Sequence, residues 1–162
     1  MLRLLIYAVP NELKLVVVDS TLVLVGECGR VQLNSLKFAV FVKRSKLILC
    51  SNCACYAATK LANLIKGASS GHVRWLRLNG VGYKALSVAN NLELSLGFSH
   101  NIVFKLPRNV KATVFGASKL KLKSTDLDAV ATAAGALKSK KRADVYKAKG
   151  IISRKVWDKR VC

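Results

Sequence analysis

Asp144-Val145-Tyr146-Lys147-Ala148-Lys149-Gly150-Ile151 is the segment of this chain whose residue types and spacing suit a chemical task. Two lysines at i and i+2 of an extended segment point the same way and can straddle adjacent phosphates. Tyr146 adds a flat, hydroxyl-bearing face for a ribose or base, and Gly150 permits close approach of one backbone to another. That is the chemistry of binding a nucleic acid, although lysine-flanked tyrosines also occur on ordinary surfaces.

Five cysteines raise a second possibility. Cys50, Cys53 and Cys55 cluster, with Cys28 or His72 as a distant fourth ligand, whereas Cys162 stands apart. Structural zinc uses two separated ligand pairs, and the second pair is missing. An odd count without a signal peptide favours reduced thiols, so no cofactor is expected. The carboxylates stand singly except Asp126 and Asp128, which suit a helix start, and His72 and His100 fall at a linker and a hairpin end. No catalytic constellation assembles, and the expectation is a protein that is not an enzyme. Gly80-Val81-Gly82 lacks the third glycine and following helix of a dinucleotide loop. It reads as a strand start where another backbone comes close.

The composition agrees with a polyanion partner. The 162 residues carry 28 Lys+Arg against 8 Asp+Glu, a net charge of +20, yet 52% are apolar. A disordered basic tail would be apolar-poor, so this chain can bury a core and push its cations to the surface. No acid lies between Glu27 and Glu93, a gap holding ten Lys/Arg; from Lys138 to Cys162 ten more face only Asp144 and Asp158. Two such stretches favour a binding surface over a merely solvated face. No apolar run reaches the roughly 18 residues of a membrane span. Met1–Pro10 is too short for a secretory signal and too poor in Arg and Ser for a presequence, so targeting is not readable from it.

Periodicity supplies the elements that position these residues. Leu13–Val18, Thr21–Val25, Leu36–Val42 and Lys46–Leu49 read as short strands, followed by helical spacing at Ala58, Leu61, Leu64, Ile65 and Ala68. The second half repeats the plan. Val81, Tyr83 and Ala85 alternate to a turn at Ala89–Asn91, and Leu92–Phe98 alternate after it to give a hairpin; Ile102–Leu106 continues the period of two, and Val110–Val114 and Lys119–Lys123 follow. Thr125 then caps a helix with the stripe Leu127, Val130, Ala131, Ala134 and Leu137, which runs out into Lys138, Lys140, Lys141 and Arg142. The expected fold class is α+β: two similar small domains, each an antiparallel-rich sheet packed with one helix, at 1–71 and 72–162, a pattern suggesting internal duplication.

The segment from Asp144 to Ile151 resembles the signature of the bacterial-type sixth protein of the large ribosomal subunit, the L-six family, with Ala143 where Pro or Ser is usual. Leu78-Asn79-Gly80-Val81-Gly82-Tyr83-Lys84-Ala85 resembles its Gly-Val-Gly-Tyr-Arg/Lys-Ala strand. Leu92–His100 resembles its Leu-x-Leu-x-Leu-Gly-Tyr/Phe-Ser-His hairpin, with Asn101 replacing a proline. The likeness is strong over about 72–152 and loose over 10–71, where Thr59–Gly67 and Val25–Leu33 carry it. The resemblance implies a non-catalytic large-subunit component whose second domain binds ribosomal RNA close to the sarcin–ricin loop and factor-binding region, among neighbouring ribosomal proteins. It points to Tyr146, Lys147, Lys149 and Gly150, with Gly97, Ser99 and His100 at the hairpin tip. The flanking basic run Lys138, Lys140, Lys141, Arg142 and the tail cations Arg154 and Lys155 complete the candidate RNA-binding set.

The expected mechanism is electrostatic and architectural: cations neutralise phosphates and release counterions, and the folded sheets select an RNA shape. The competing readings are a free-standing RNA-binding or chaperone protein, a zinc or iron–sulfur protein on Cys28, Cys50, Cys53 and Cys55, and a peripheral membrane protein. The last is disfavoured because Leu127–Leu137 carries no basic residue. The loose first half, the scarcity of acids and the cysteine cluster favour a mitochondrial ribosome over a plastid or bacterial one.

Overall fold

The structure is a computed structural model and describes residues 3–8, 13–18, 21–34, 39–43, 46–51 and 54–153. The chain divides into two compact units, Met1–Gly71 and His72–Cys162. Among the described residues the first contains β1 (Arg3–Ala8), β2 (Lys14–Val18), β3 (Thr21–Gly26), β4 (Gly29–Asn34), β5 (Ala39–Lys43), β6 (Lys46–Ser51) and the helix α1 (Ala54–Ser69). The second contains β7 (His72–Asn79), β8 (Lys84–Val88), β9 (Asn91–Ser95), β10 (Ile102–Lys105), β11 (Lys111–Phe115), β12 (Lys119–Ser124), the helix α2 (Leu127–Lys140) and β13 (Gly150–Ser153). The fold is α+β.

One strand order occurs twice. In the first unit β6 lies between β1 and β5, and β3 between β2 and β4; in the second β12 lies between β7 and β11, and β9 between β8 and β10. Each unit thus pairs its first strand with its sixth and its sixth with its fifth, leaves the second to fourth as a meander, and adds a helix after the sixth. Every one of these pairings is antiparallel. The second unit extends the plan with β13, which pairs with the other edge of β7.

In the first unit α1 packs against β1, β3, β4 and β6. Leu13, Val23, Leu24, Leu61 and Ala68 are buried. The Cys28 amide donates to the Ala68 carbonyl at 3.3 Å, tying the β3–β4 turn to the end of α1.

The second unit has a single core. Leu76 and Leu78 of β7 and Leu120 and Leu122 of β12 point to one side of their sheet, as the period of two requires. There they meet Val130, Ala133, Ala134 and Leu137 of α2 and Leu92, Leu94 and Leu96 from the β9 segment. Fully burying each leucine contributes roughly 1.5–3 kcal/mol. The β11–β12 turn joins the two sheets, because the Ala117 carbonyl accepts from the Ala85 amide at 3.0 Å and the Ser118 carbonyl from the Leu78 amide at 2.7 Å.

The structure departs from the sequence reading at several places. The N-cap of α2 is Asp126, not Thr125: Asp126 is extended and its carboxylate accepts from the Asp128 amide at 3.2 Å, while Ser124 Oγ accepts from the Asp126 amide. The buried helix stripe takes Ala133 where Ala131 was expected, and Ala131 is only half-buried. Gly80-Val81-Gly82 is a turn rather than a strand start. The Tyr83 amide donates back to the Gly80 carbonyl at 3.3 Å, and the strand resumes only at Lys84. Strands β1, β4, β7 and β13 were not expected as such.

Candidate nucleic-acid interface

Three loops of the second unit, far apart in sequence, converge. The turn at Gly80–Gly82 joins β7 to β8, the loop Gly97-Phe98-Ser99-His100 joins β9 to β10, and residues 141–149 join α2 to β13. Tyr83 links the first two: a Cβ on Gly80 would lie 2.7 Å from its ring, and one on Gly97 3.3 Å from the same ring. Asn79 links the first and third, its side-chain amide donating to the Ala148 carbonyl at 2.8 Å. Lys141 links the second and third, its ammonium 4.3 Å from the centroid of the Phe98 ring.

The segment 144–149 is a turn, not the extended stretch its lysine spacing suggested. The Asp144 carboxylate accepts from the Tyr146 amide at 3.2 Å, and the Asp144 amide donates to the Lys149 carbonyl at 3.0 Å. Ala148 closes the turn in the left-handed region at φ 51°. A residue other than glycine visits that region at a cost of roughly 1–2 kcal/mol. Lys147 and Lys149 are therefore not presented by a pleated strand, but both are exposed on the turn, with Tyr146 at its tip 95% exposed. A fully exposed tyrosine buries nothing for the fold and is available to a partner.

Gly150 has the close backbone approach that its position suggested. At φ +143° its Cα faces the chain at Arg142–Ala143, where an added Cβ would fall 2.5 Å from the Ala143 Cα and 2.6 Å from the Arg142 carbonyl oxygen. The Ile151 amide donates to the Lys141 carbonyl at 3.0 Å, and Arg142 bridges Ile151 in parallel. The strand β13 is thereby held on one side by β7 and on the other by the end of the basic run.

That run sits where the helix favours it. Lys138 and Lys140 occupy the last turn of α2 and Lys141 its C-cap, at the negative end of the helix dipole. Lys141 meets Phe98, which lies between Gly97 and Ser99 and two residues before His100, and Arg142 lies against Gly150; Tyr146, Lys147 and Lys149 follow on the turn between them, and Lys138 and Lys140 stand within one turn along α2. Asp144 is the sole carboxylate of these segments. Arg154 and Lys155 lie outside the described residues. The sequence reading missed Phe98, Tyr83 and Asn79, which hold the loops to one another. An aromatic between Gly97 and Ser99 was the one available signal.

The cysteine cluster is described only in part. Cys28 is a free, half-buried thiol. Cys53 and the side chains of Cys50 and Cys55 lie outside the described residues. Among the described residues no three His, Cys, Asp or Glu gather as a metal site, and no helix is long and apolar enough to cross a membrane.

No family profile matches the sequence. Over 93 residues the chain is 38% identical to the large ribosomal subunit protein uL6 of Lachnoclostridium phytofermentans, a match covering 57% of this chain and 52% of that protein. Over 93 residues it is 41% identical to the uL6 protein of Oleidesulfovibrio alaskensis, covering 57% of this chain and 51% of the relative. The chain spans about half the length of the curated relatives it matches. Its relatives are thus proteins of the large ribosomal subunit. Within that class both are uL6 proteins, and the chain is similar to them over the matched residues.

Proposed function

We propose that this protein is a structural, non-enzymatic component of a large ribosomal subunit, and that its second unit binds large-subunit ribosomal RNA through the converging loops around Lys141. The observation carrying this reading is the meeting of three separate motifs, Gly80–Tyr83, Gly97–His100 and Tyr146–Gly150, at one basic place. Core packing does not require it: Tyr146 is exposed, and the lysines of the turn contribute nothing to burial. A cationic rim with a protruding tyrosine suits a folded RNA, whose phosphates are neutralised while the rigid loops select its shape.

The RNA element proposed is the region near the sarcin–ricin loop and the factor-binding site, carried over from the resemblance at Tyr146, Lys147, Lys149 and Gly150. The mitochondrion is the proposed compartment, on the composition of the first half and its cysteines. The test is sedimentation of the native protein from fractionated cells. Co-migration with a large subunit, lost after RNase treatment, is expected from the mitochondrial fraction. Migration at the top of the gradient with heterogeneous RNA would instead mark a free-standing RNA-binding protein.

A further inference from the structure

The face of the β11–β12–β7 sheet turned away from α2 has no part in the core or in the loop cluster. Its outward positions include Lys111, Thr113 and Phe115 on β11, Lys119, Lys121 and Lys123 on β12, and Val73, Trp75 and Arg77 on β7. No acidic residue lies in any of the three strands. Phe115 is 45% exposed and Trp75 half-buried; their rings lie 5.3 Å apart between centroids at 43°. The Lys121 ammonium stands 5.5 Å from the Trp75 ring centroid.

The register sharpens the point. Lys111 is directly opposite Lys123. Like charges facing each other across strands oppose folding. The arrangement makes sense when an anion lies across the face.

We propose that this face is a second RNA surface, which takes an unpaired stretch of ribosomal RNA by stacking bases on Trp75 and Phe115 while Lys111, Lys119, Lys121 and Lys123 neutralise its phosphates. The inference rests on the ribosomal-RNA reading for the identity of the strand, and it assigns a different RNA form to a different place. A duplex keeps its bases stacked inward and cannot use two aromatic rings set among lysines; a single strand can. An acidic protein would use the lysines but leave the rings idle.

The test uses the full chain carrying Trp157→Phe, which leaves Trp75 as the reporter, titrated with the decamer of adenylate, (rA)10. Trp75 fluorescence is expected to be quenched on binding. By anisotropy of labelled (rA)10, Trp75→Leu and Phe115→Leu should each weaken binding roughly 5- to 150-fold, the loss of one stacked base. Trp75→Phe should lose much less, and a Lys14→Glu/Lys66→Glu control should bind as the parent. Absence of quenching, Leu variants that bind as tightly as the parent, or equal competition by poly-glutamate would overturn the proposal. Subunit association that survives such a result would leave the loop-cluster reading standing, whereas (rA)10 binding without subunit association would remove that reading instead.

Discussion

The ammonium of Lys141 lies 4.3 Å from the centre of the Phe98 ring, joining the C-terminal end of a helix to the tip of a hairpin more than 40 residues earlier. The contact is a cation–π pair, and Phe98 is 44% exposed, so its worth belongs to the exposed range. A double-mutant cycle with Phe98→Leu and Lys141→Gln should return a coupling of about 0.5–1 kcal/mol in urea unfolding. Additive single effects would mean that the two loops are held together by other contacts alone.

Gly150 and Ala148 should respond in opposite directions. Gly150→Ala places a Cβ against the backbone of Arg142 and Ala143 and strains φ as well, so it should destabilise the protein by about 1–3 kcal/mol or more. Ala148→Gly relieves a left-handed alanine and should stabilise by up to about 1 kcal/mol, after the extra entropy of glycine in the unfolded chain is subtracted. Thermal or urea denaturation checks both signs; a neutral Gly150→Ala would contradict the tight approach at Arg142.

Binding to ribosomal RNA should weaken steeply with salt. With roughly eight cations engaged, log K should fall against log salt with a slope of about −6 to −7. Filter binding of the full-length protein to large-subunit RNA across a salt series measures it. A slope shallower than about −2 would mean that phosphate contacts do not carry the affinity.

Much of the fold was legible because burial imposes a period. Leu120 and Leu122 alternate with lysines, so β12 could be read directly, and Val130, Ala134 and Leu137 marked the buried side of α2. The strand β1 was hidden because RLLIYA is a nearly continuous apolar run without a distinguishing period. What fixes it is pairing with β6, whose partner residues lie 38 to 48 positions further along the chain. The candidate segment itself stood out in the sequence, but its shape did not. The spacing of Lys147 and Lys149 suggested a strand, whereas Asp144 folds the segment into a turn and Asn79 holds Ala148 from 69 residues away. Local propensity cannot foresee a partner supplied by tertiary structure. For the same reason Tyr83 and Phe98 stood in quoted motifs while their part in holding the loops together could not be read.

The central claim is that the loop cluster around Tyr146–Gly150 seats the protein on large-subunit RNA. The most direct measurement is gradient sedimentation of Lys147→Glu/Lys149→Glu against Lys14→Glu/Lys66→Glu, which changes net charge equally but in the first unit. The first pair should reduce the fraction migrating with the large subunit by about tenfold, as expected when two phosphate contacts become repulsions, while the second pair leaves it nearly intact. Equal losses, or a greater loss from the first-unit pair, would contradict the account.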